Sequence, residues 1–151
     1  NESTKGCDII GFKFARMGKI SSLDAMIIFE VKAQLSTSKA KPRLQDAVND
    51  SKKDHLRKAE SLNAIKQQFV YRSQNEEAQK LERFQNPADH PFKENYGAVA
   101  LFNSSIFDEA LIATTDGSNH PNKKALLLIA MHGKDMMDLA NELYKRAADE
   151  A

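Results

Sequence analysis

Two apolar runs near the start of the chain predict a pair of β-strands. The first extends from Asp8 to Phe14 and the second from Ala25 to Leu35. The segment between them contains turn residues, among them Gly18 and Ser21, which favour a tight reversal of the chain. The pattern therefore predicts an antiparallel hairpin.

Apolar residues recur at helical spacing after a polar link that ends at Pro42. This period predicts one long amphipathic helix over the region 44–69. Its apolar positions are Leu44, Val48, Leu56, Ala59, Leu62, Ile65 and Phe69. A shorter helix is predicted from Gln74 to Gln85, and the Pro-containing segment Asn86 to Pro91 predicts a loop.

The second half of the chain alternates between apolar runs and turn signals. Three buried strands are predicted, at Tyr96 to Phe102, Glu109 to Thr115 and Lys123 to Met131. A final helix is predicted from Asp135 to Ala147, with Asp135 as its N-cap. This order of elements indicates an α/β fold, with a mixed central β-sheet flanked by helices.

Charged and amide side chains interrupt the two N-terminal strands. Because strand side chains alternate between faces, Glu30, Lys32 and Gln34 must share one face of the second strand. Asp8 lies in an equally apolar stretch of the first strand. A buried, unpaired carboxylate costs several kcal/mol, so these groups must pair with each other or with a bound cation. The alternative is a solvated salt bridge on an edge strand.

This arrangement, an Asp in one strand and Glu-x-Lys-x-Gln in the next, resembles the PD-(D/E)xK nuclease superfamily. The resemblance implies a restriction-endonuclease-like α/β/α core and metal-dependent hydrolysis of phosphodiester bonds. It implies Mg²⁺ bound by Asp8, Glu30 and the backbone carbonyl of Val31, with Mn²⁺ able to substitute. Lys32 would lie beside the attacking water, and Gln34 would be an orienting group.

A narrower resemblance extends over most of the chain. The segments Ser3 to Phe12, Phe29 to Ala33 and Tyr96 to Phe102, with the terminal helix, are similar to the HamA-type effector of Hachiman anti-phage defence. This implies DNA as substrate and a separate helicase as partner. We expect residues 1–151 to form a single nuclease-like domain that lacks an N-terminal region of a longer chain, because only Glu2 supplies an acidic residue before the first strand.

The charge is unevenly distributed along a chain whose formal net charge is only +1. The region 39–72 contains nine basic residues and four acidic ones. Such a basic segment is typical of surfaces that bind nucleic-acid phosphates, although it equally fits a solvated helix face. The candidate nucleic-acid-binding residues are Lys39, Lys41, Lys52, Lys53, Arg57 and Lys58.

Other chemistries have little support in the sequence. The single cysteine, Cys7, has no partner for an intramolecular disulfide and reads as a core thiol. The four histidines lack the spacing of zinc ligands, and no Gly-rich phosphate loop is present. No apolar run is long enough to cross a membrane, so we expect a cytoplasmic protein.

Two other functions stay open at this stage. The chain could be a nuclease-like fold that binds nucleic acid without cutting it, or a module that docks a protein through its charged strand. The sequence leaves open whether DNA or RNA is cut, with what sequence specificity, and whether cleavage is endonucleolytic or exonucleolytic. It also leaves open whether the protein forms oligomers.

Overall fold

The first two strands form the predicted hairpin in the computed structural model, which describes residues 6–16 and 18–150. Strand β1 (Ile9–Lys13) pairs antiparallel with β2 (Ala25–Gln34), and Ile9 lies opposite Phe29. The residues Ser3 to Lys5, which contribute to the family resemblance, lie outside the described residues.

The central sheet has four strands in the order β1-β2-β3-β4. Strand β3 (Lys93–Asn103) runs parallel to β2, and β4 (Leu126–Gly133) runs parallel to β3. The chain therefore has the predicted α/β fold, a mixed sheet flanked by helices.

The predicted long helix is wrong in its continuity. It is divided into α1 (Arg43–Ser51) and α2 (Asp54–Tyr71), and α3 (Asn75–Gln85) follows as predicted. The break lies at Lys52 and Lys53, where the Lys53 backbone N–H donates to the Asp50 carbonyl, three residues back instead of the four of an α-helix. The predicted stripe is also wrong in one member, because Leu56 is 73% exposed, whereas Asp54 is fully buried.

The predicted strand from Glu109 to Thr115 is also wrong. Residues Glu109–Ala113 form a short helix, α4, whose first turn is capped by Asp108. The Asp108 Oδ1 atom accepts a hydrogen bond from the Leu111 backbone N–H at 3.0 Å. This cap satisfies a backbone donor that a helix start would otherwise leave free, which favours the helix over a strand. Short 3-10 turns at Ser104–Ile106 and Lys123–Ala125 complete the region.

The apolar core is divided between two clusters on the helix-covered side of the sheet. One joins α1 to β3 and includes Val48, Ala100 and Phe102. The other joins β2 and β3 to α2 and α3, with Leu62 and Phe84 among its members. These clusters fix α1 over strand β3 and α2 over strand β2.

The last helix, α5 (Met136–Asp149), follows β4 as the sequence predicts. Asp135 precedes it in a left-handed conformation, with φ of 51°, and makes no side-chain capping bond among the described residues. Leu139, Leu143 and Tyr144 are all more than half exposed. The apolar face of α5 is therefore only partly covered. Among residues 6–16 and 18–150, no helix has the length and apolar character needed to cross a membrane.

Candidate active site

The polar row predicted on β2 lies on the face of the sheet that α1 covers. Glu30 and Gln34 are only 4% and 5% exposed, Lys32 is half-buried, and the intervening Ala33 is exposed. The neighbours of Glu30 and Lys32 on β3 have small side chains: Ala98 lies beside Glu30 and Ala100 beside Lys32. This leaves room for the longer polar side chains beneath α1.

Asp8 lies at the same corner of the sheet as Glu30, because β1 begins one residue after Asp8. Within the described part of the chain, β1 pairs with β2 only as far as Phe29, and the same register would place Asp8 opposite Glu30. The Asp8 Oδ2 atom instead accepts a hydrogen bond from the Val31 backbone N–H at 2.8 Å. Asp8 thus lies beside the Glu30–Val31 segment, but it is exposed, whereas the apolar run predicts a buried carboxylate.

The segment before Asp8 is attached to α2. The Cys7 backbone N–H donates to Ser61 Oγ at 3.0 Å, and the Cys7 thiol donates to the Asp54 carbonyl at 3.9 Å. Asp8 is therefore held between β2 and the start of α2. The N–H and C=O of one strand residue point to the same side, so the Val31 carbonyl also lies on the Asp8 side of β2.

Lys32 bridges two carboxylates. Its Nζ atom lies 2.7 Å from Glu30 Oε1 and 2.7 Å from Asp50 Oδ2 at the end of α1. These hydrogen bonds, to Asp50 first and to Glu30 second, raise the pKa of Lys32 above its ordinary value. The bond from Lys32 lowers the pKa of Asp50. Lys32 is therefore a permanent cation, and sequence reasoning missed Asp50 as its second partner.

Asp54 is a further acidic residue at this corner that sequence reasoning missed. It is fully buried, and neither carboxylate oxygen has a hydrogen-bond partner among the described residues. Burial first, and then the negative charge of Glu30, raise the pKa of Asp54 to about 7. One signal could have found it: Asp50 and Asp54 are four residues apart, a spacing that brings side chains to one side of a helical segment.

Gln34 is hydrogen-bonded to the loop before α1. Its Nε2 atom donates to the Lys39 carbonyl at 2.9 Å and to Ser38, while its Oε1 atom accepts from the Lys41 backbone N–H at 2.9 Å. The amide thus holds the loop that leads into α1. Its predicted role in orienting the reaction stays a prediction.

The corner is rich in oxygen ligands and contains an excess of carboxylates. No three His, Cys, Asp or Glu side chains in the described ranges are close enough to form a preformed metal cage. Mg²⁺ does not require one, because it binds through one or two carboxylates and completes its shell with water and substrate oxygens. The buried Glu30 and the unpartnered Asp54 carboxylate fit such a cation.

The family model HamA matches residues 1–147. The chain belongs to the HamA family. HamA is the nuclease-like effector family of the Hachiman defence system, which works with a helicase partner. No curated protein and no solved structure matches the chain significantly.

The candidate DNA-binding residues of this HamA-family chain do not lie on one helix. Lys39 and Lys41 are exposed in the loop before α1, and Lys53 is exposed at the break between α1 and α2. Lys52 donates to Asn49 Oδ1 at 3.3 Å. Lys58 is engaged in an ion pair with Glu94, at 2.5 Å.

Cys7 and His120 have surroundings typical of residues with a structural role. Burial raises the pKa of the Cys7 thiol, which fits the core role predicted for it. In the loop of residues 119–124, His120 is 3% exposed and its Nδ1 atom accepts from the Asn122 backbone N–H at 3.0 Å. His120 therefore stabilises this loop from inside.

Proposed function

We propose that this HamA-family protein is a divalent-cation-dependent nuclease that hydrolyses DNA phosphodiester bonds in anti-phage defence. The observation that carries the proposal is the buried Glu30 carboxylate, with Asp8 beside it and Lys32 on the same strand face. A structural salt bridge would need only Glu30 and Lys32. The additional carboxylates and the backbone carbonyl of Val31 favour a cation site.

Asp8, Glu30 and the Val31 carbonyl would hold Mg²⁺ or Mn²⁺. When bound, such an ion lowers the pKa of a water molecule and offsets the charge that develops on phosphate oxygens. The side chains hold their positions through contacts already present: Asp8 through the Val31 N–H, and Glu30 through its place between Ala98 and α1.

Lys32 supplies a fixed positive charge next to the reacting phosphate. Its raised pKa excludes it as a proton acceptor near neutral pH and favours a role in orienting water or stabilising anionic oxygens. Asp50 gives Lys32 a second anchor, so Lys32 keeps one carboxylate partner when Glu30 binds a cation.

DNA would approach across the exposed lysines of the loop before α1 and of the α1–α2 break. Phosphate contacts by lysine give affinity without sequence preference, which suits a defence nuclease. The helicase of the Hachiman system would supply or hold the DNA.

Plasmid cleavage with and without Mn²⁺ tests the proposal. We expect metal-dependent cutting by the natural protein and a loss of about a hundredfold or more in Glu30→Gln and Lys32→Gln, since each removes a charge that stabilises the reaction. Glu82→Gln and Lys66→Gln are matched controls, because these residues form an ion pair with each other on α2 and α3.

Thermal melting of every variant separates folding from function. Folded Glu30 and Lys32 variants that cut as well as the controls would contradict the proposal. Metal-independent DNA binding without cutting by the natural protein would instead favour the non-catalytic nucleic-acid-binding module.

A further inference from the structure

Among the described residues, two aspartates are almost completely buried, and only one of these carboxylates has hydrogen-bond partners. The Asp24 carboxylate, 1% exposed, accepts from the backbone N–H groups of Ala15 and Ser21 and from Arg83. Asp54, 0% exposed, accepts from no donor in the described ranges of the chain. A buried carboxylate without donors is costly, so the surroundings of Asp54 are incomplete.

The position of Asp54 indicates what is missing. It is the first residue of α2, and its carbonyl contacts Cys7, the residue before Asp8. The charges of Glu30 and Asp8 both act on its carboxylate. A carboxylate in the field of another is stabilised by a cation that both approach.

The nearby cations of the protein leave this need unmet. Lys32 is directed to Glu30 and Asp50, at 2.7 Å from each. Arg57 acts on Asp54 by its charge, yet it donates no hydrogen bond to either carboxylate oxygen. Glu30 is the charged group that acts most strongly on Asp54, so a hard cation between the two carboxylates would meet oxygen atoms from both a strand and a helix.

We infer that Asp54 is a further ligand of the divalent cation, directly or through a bound water, and binds it from the helix side while Glu30 binds it from the strand side. The inference rests on the proposed function, since it concerns the same cation. It adds a helix residue to a site that the sequence motif confines to β1 and β2.

Binding of Mn²⁺ without DNA tests the inference, with free Mn²⁺ measured by electron paramagnetic resonance. We expect Asp54→Asn to weaken Mn²⁺ binding by at least about tenfold, in the range found when groups that support a metal site are removed. Asp46→Asn is the matched control: Asp46 lies on α1 in an ion pair with Arg43, and its variant should bind as the natural protein does.

The outcomes separate the inference from the proposed function. If Asp54→Asn binds Mn²⁺ as tightly as the natural protein while Glu30→Gln does not, the inference is overturned and the proposed site stands. If neither variant changes binding, or the natural protein binds no Mn²⁺, both fail.

A measurement on the natural protein covers the case in which Asp54→Asn does not fold. Diamagnetic Mg²⁺ changes the chemical shift of the carboxyl carbons that bind it, so the side-chain carboxyl signals of Glu30 and Asp54 should shift together in a Mg²⁺ titration followed by ¹³C nuclear magnetic resonance. An Asp54 carboxyl signal that stays in place while the Glu30 signal shifts would overturn the inference.

Discussion

Asp24 and Asp54 are buried to the same degree, and their surroundings determine opposite responses to pH. Burial acts against ionisation of Asp24, but hydrogen bonds from Ala15, Ser21 and Arg83 outweigh it and lower its pKa. For Asp54, burial and the charge of Glu30 act in the same direction and raise the pKa to about 7. The ionised Asp24 carboxylate therefore stabilises the folded protein, whereas ionisation of Asp54 destabilises it.

The acidic corner should make the metal-free protein less stable as pH rises. Between pH 4 and pH 7 the folded state retains a proton on Asp54 that the unfolded state has lost, so the free energy of unfolding falls with increasing pH. In a chelating buffer at pH 8, Asp54→Asn should raise the free energy of unfolding by up to ~4 kcal/mol, because a tenfold change in proton affinity corresponds to ~1.4 kcal/mol.

Urea unfolding across pH 4 to 8 measures this effect. The increase in the free energy of unfolding caused by Asp54→Asn should disappear near pH 4, where the natural Asp54 is protonated in both the folded and the unfolded state. A variant that is less stable than the natural protein at pH 8 would contradict this account of Asp54.

Removal of the Asp24 charge should have the opposite effect. Asp24→Asn should lower the free energy of unfolding by about 3 kcal/mol at pH 7, because it leaves the Arg83 guanidinium buried without its partner. The pKa of Asp24 is lowered on folding, so its contribution is complete above the ordinary pKa of aspartate and is lost as pH falls through the lower folded value. Acid titration of stability for both proteins is the measurement, and a difference that persists undiminished at pH 2 would contradict the assignment.

At the scale of elements, the sequence predicts the N-terminal hairpin better than it predicts where helices end, and it takes α4 for a strand. The alternation in β2 places Glu30, Lys32 and Gln34 on one face, and the structure confirms this. The α1–α2 break has no proline or glycine to mark it, so the apolar period reads through it. Asp54 was missed for the same reason, since a charged residue within a continuous amphipathic helix is expected to face solvent.

The break also changes which basic residues are available to DNA. Lys58 is paired with Glu94, so the exposed candidates are those in the loop before α1 and at the break. Replacing Lys39, Lys41, Lys52 and Lys53 together with Gln should weaken DNA binding uniformly across sequences. Each lost phosphate contact should reduce the slope of log K against log salt concentration by about 0.9.

Fluorescence anisotropy over a salt series measures this slope, and a matched variant carries Gln at Lys123, Lys124, Lys134 and Lys145. An unchanged slope in the first variant would assign its lysines to a solvated surface. A reduced slope in the matched variant would place the DNA surface near β4 and the start of α5.

At the scale of the whole molecule, the mixed sheet brings three separate parts of the chain to one corner. Asp8 directly precedes β1, and Glu30 and Lys32 lie on β2. Asp50 and Asp54 lie on either side of the α1–α2 break. The sequence predicted the contribution of the hairpin because strand pairing is local. It could not predict the helix contribution, which depends on how α1 and α2 pack against the sheet after residue 51.

The claim that this corner binds a divalent cation is tested most directly by X-ray diffraction from crystals soaked in Mn²⁺, using the anomalous signal of the metal. We predict a single strong peak about 2.1 Å from a Glu30 carboxylate oxygen, on the side facing Asp8 and Asp54, with Lys32 still bonded to Asp50. Crystals that contain Mn²⁺ at other positions and none beside Glu30, with the Lys32–Glu30 ion pair intact, would contradict the account.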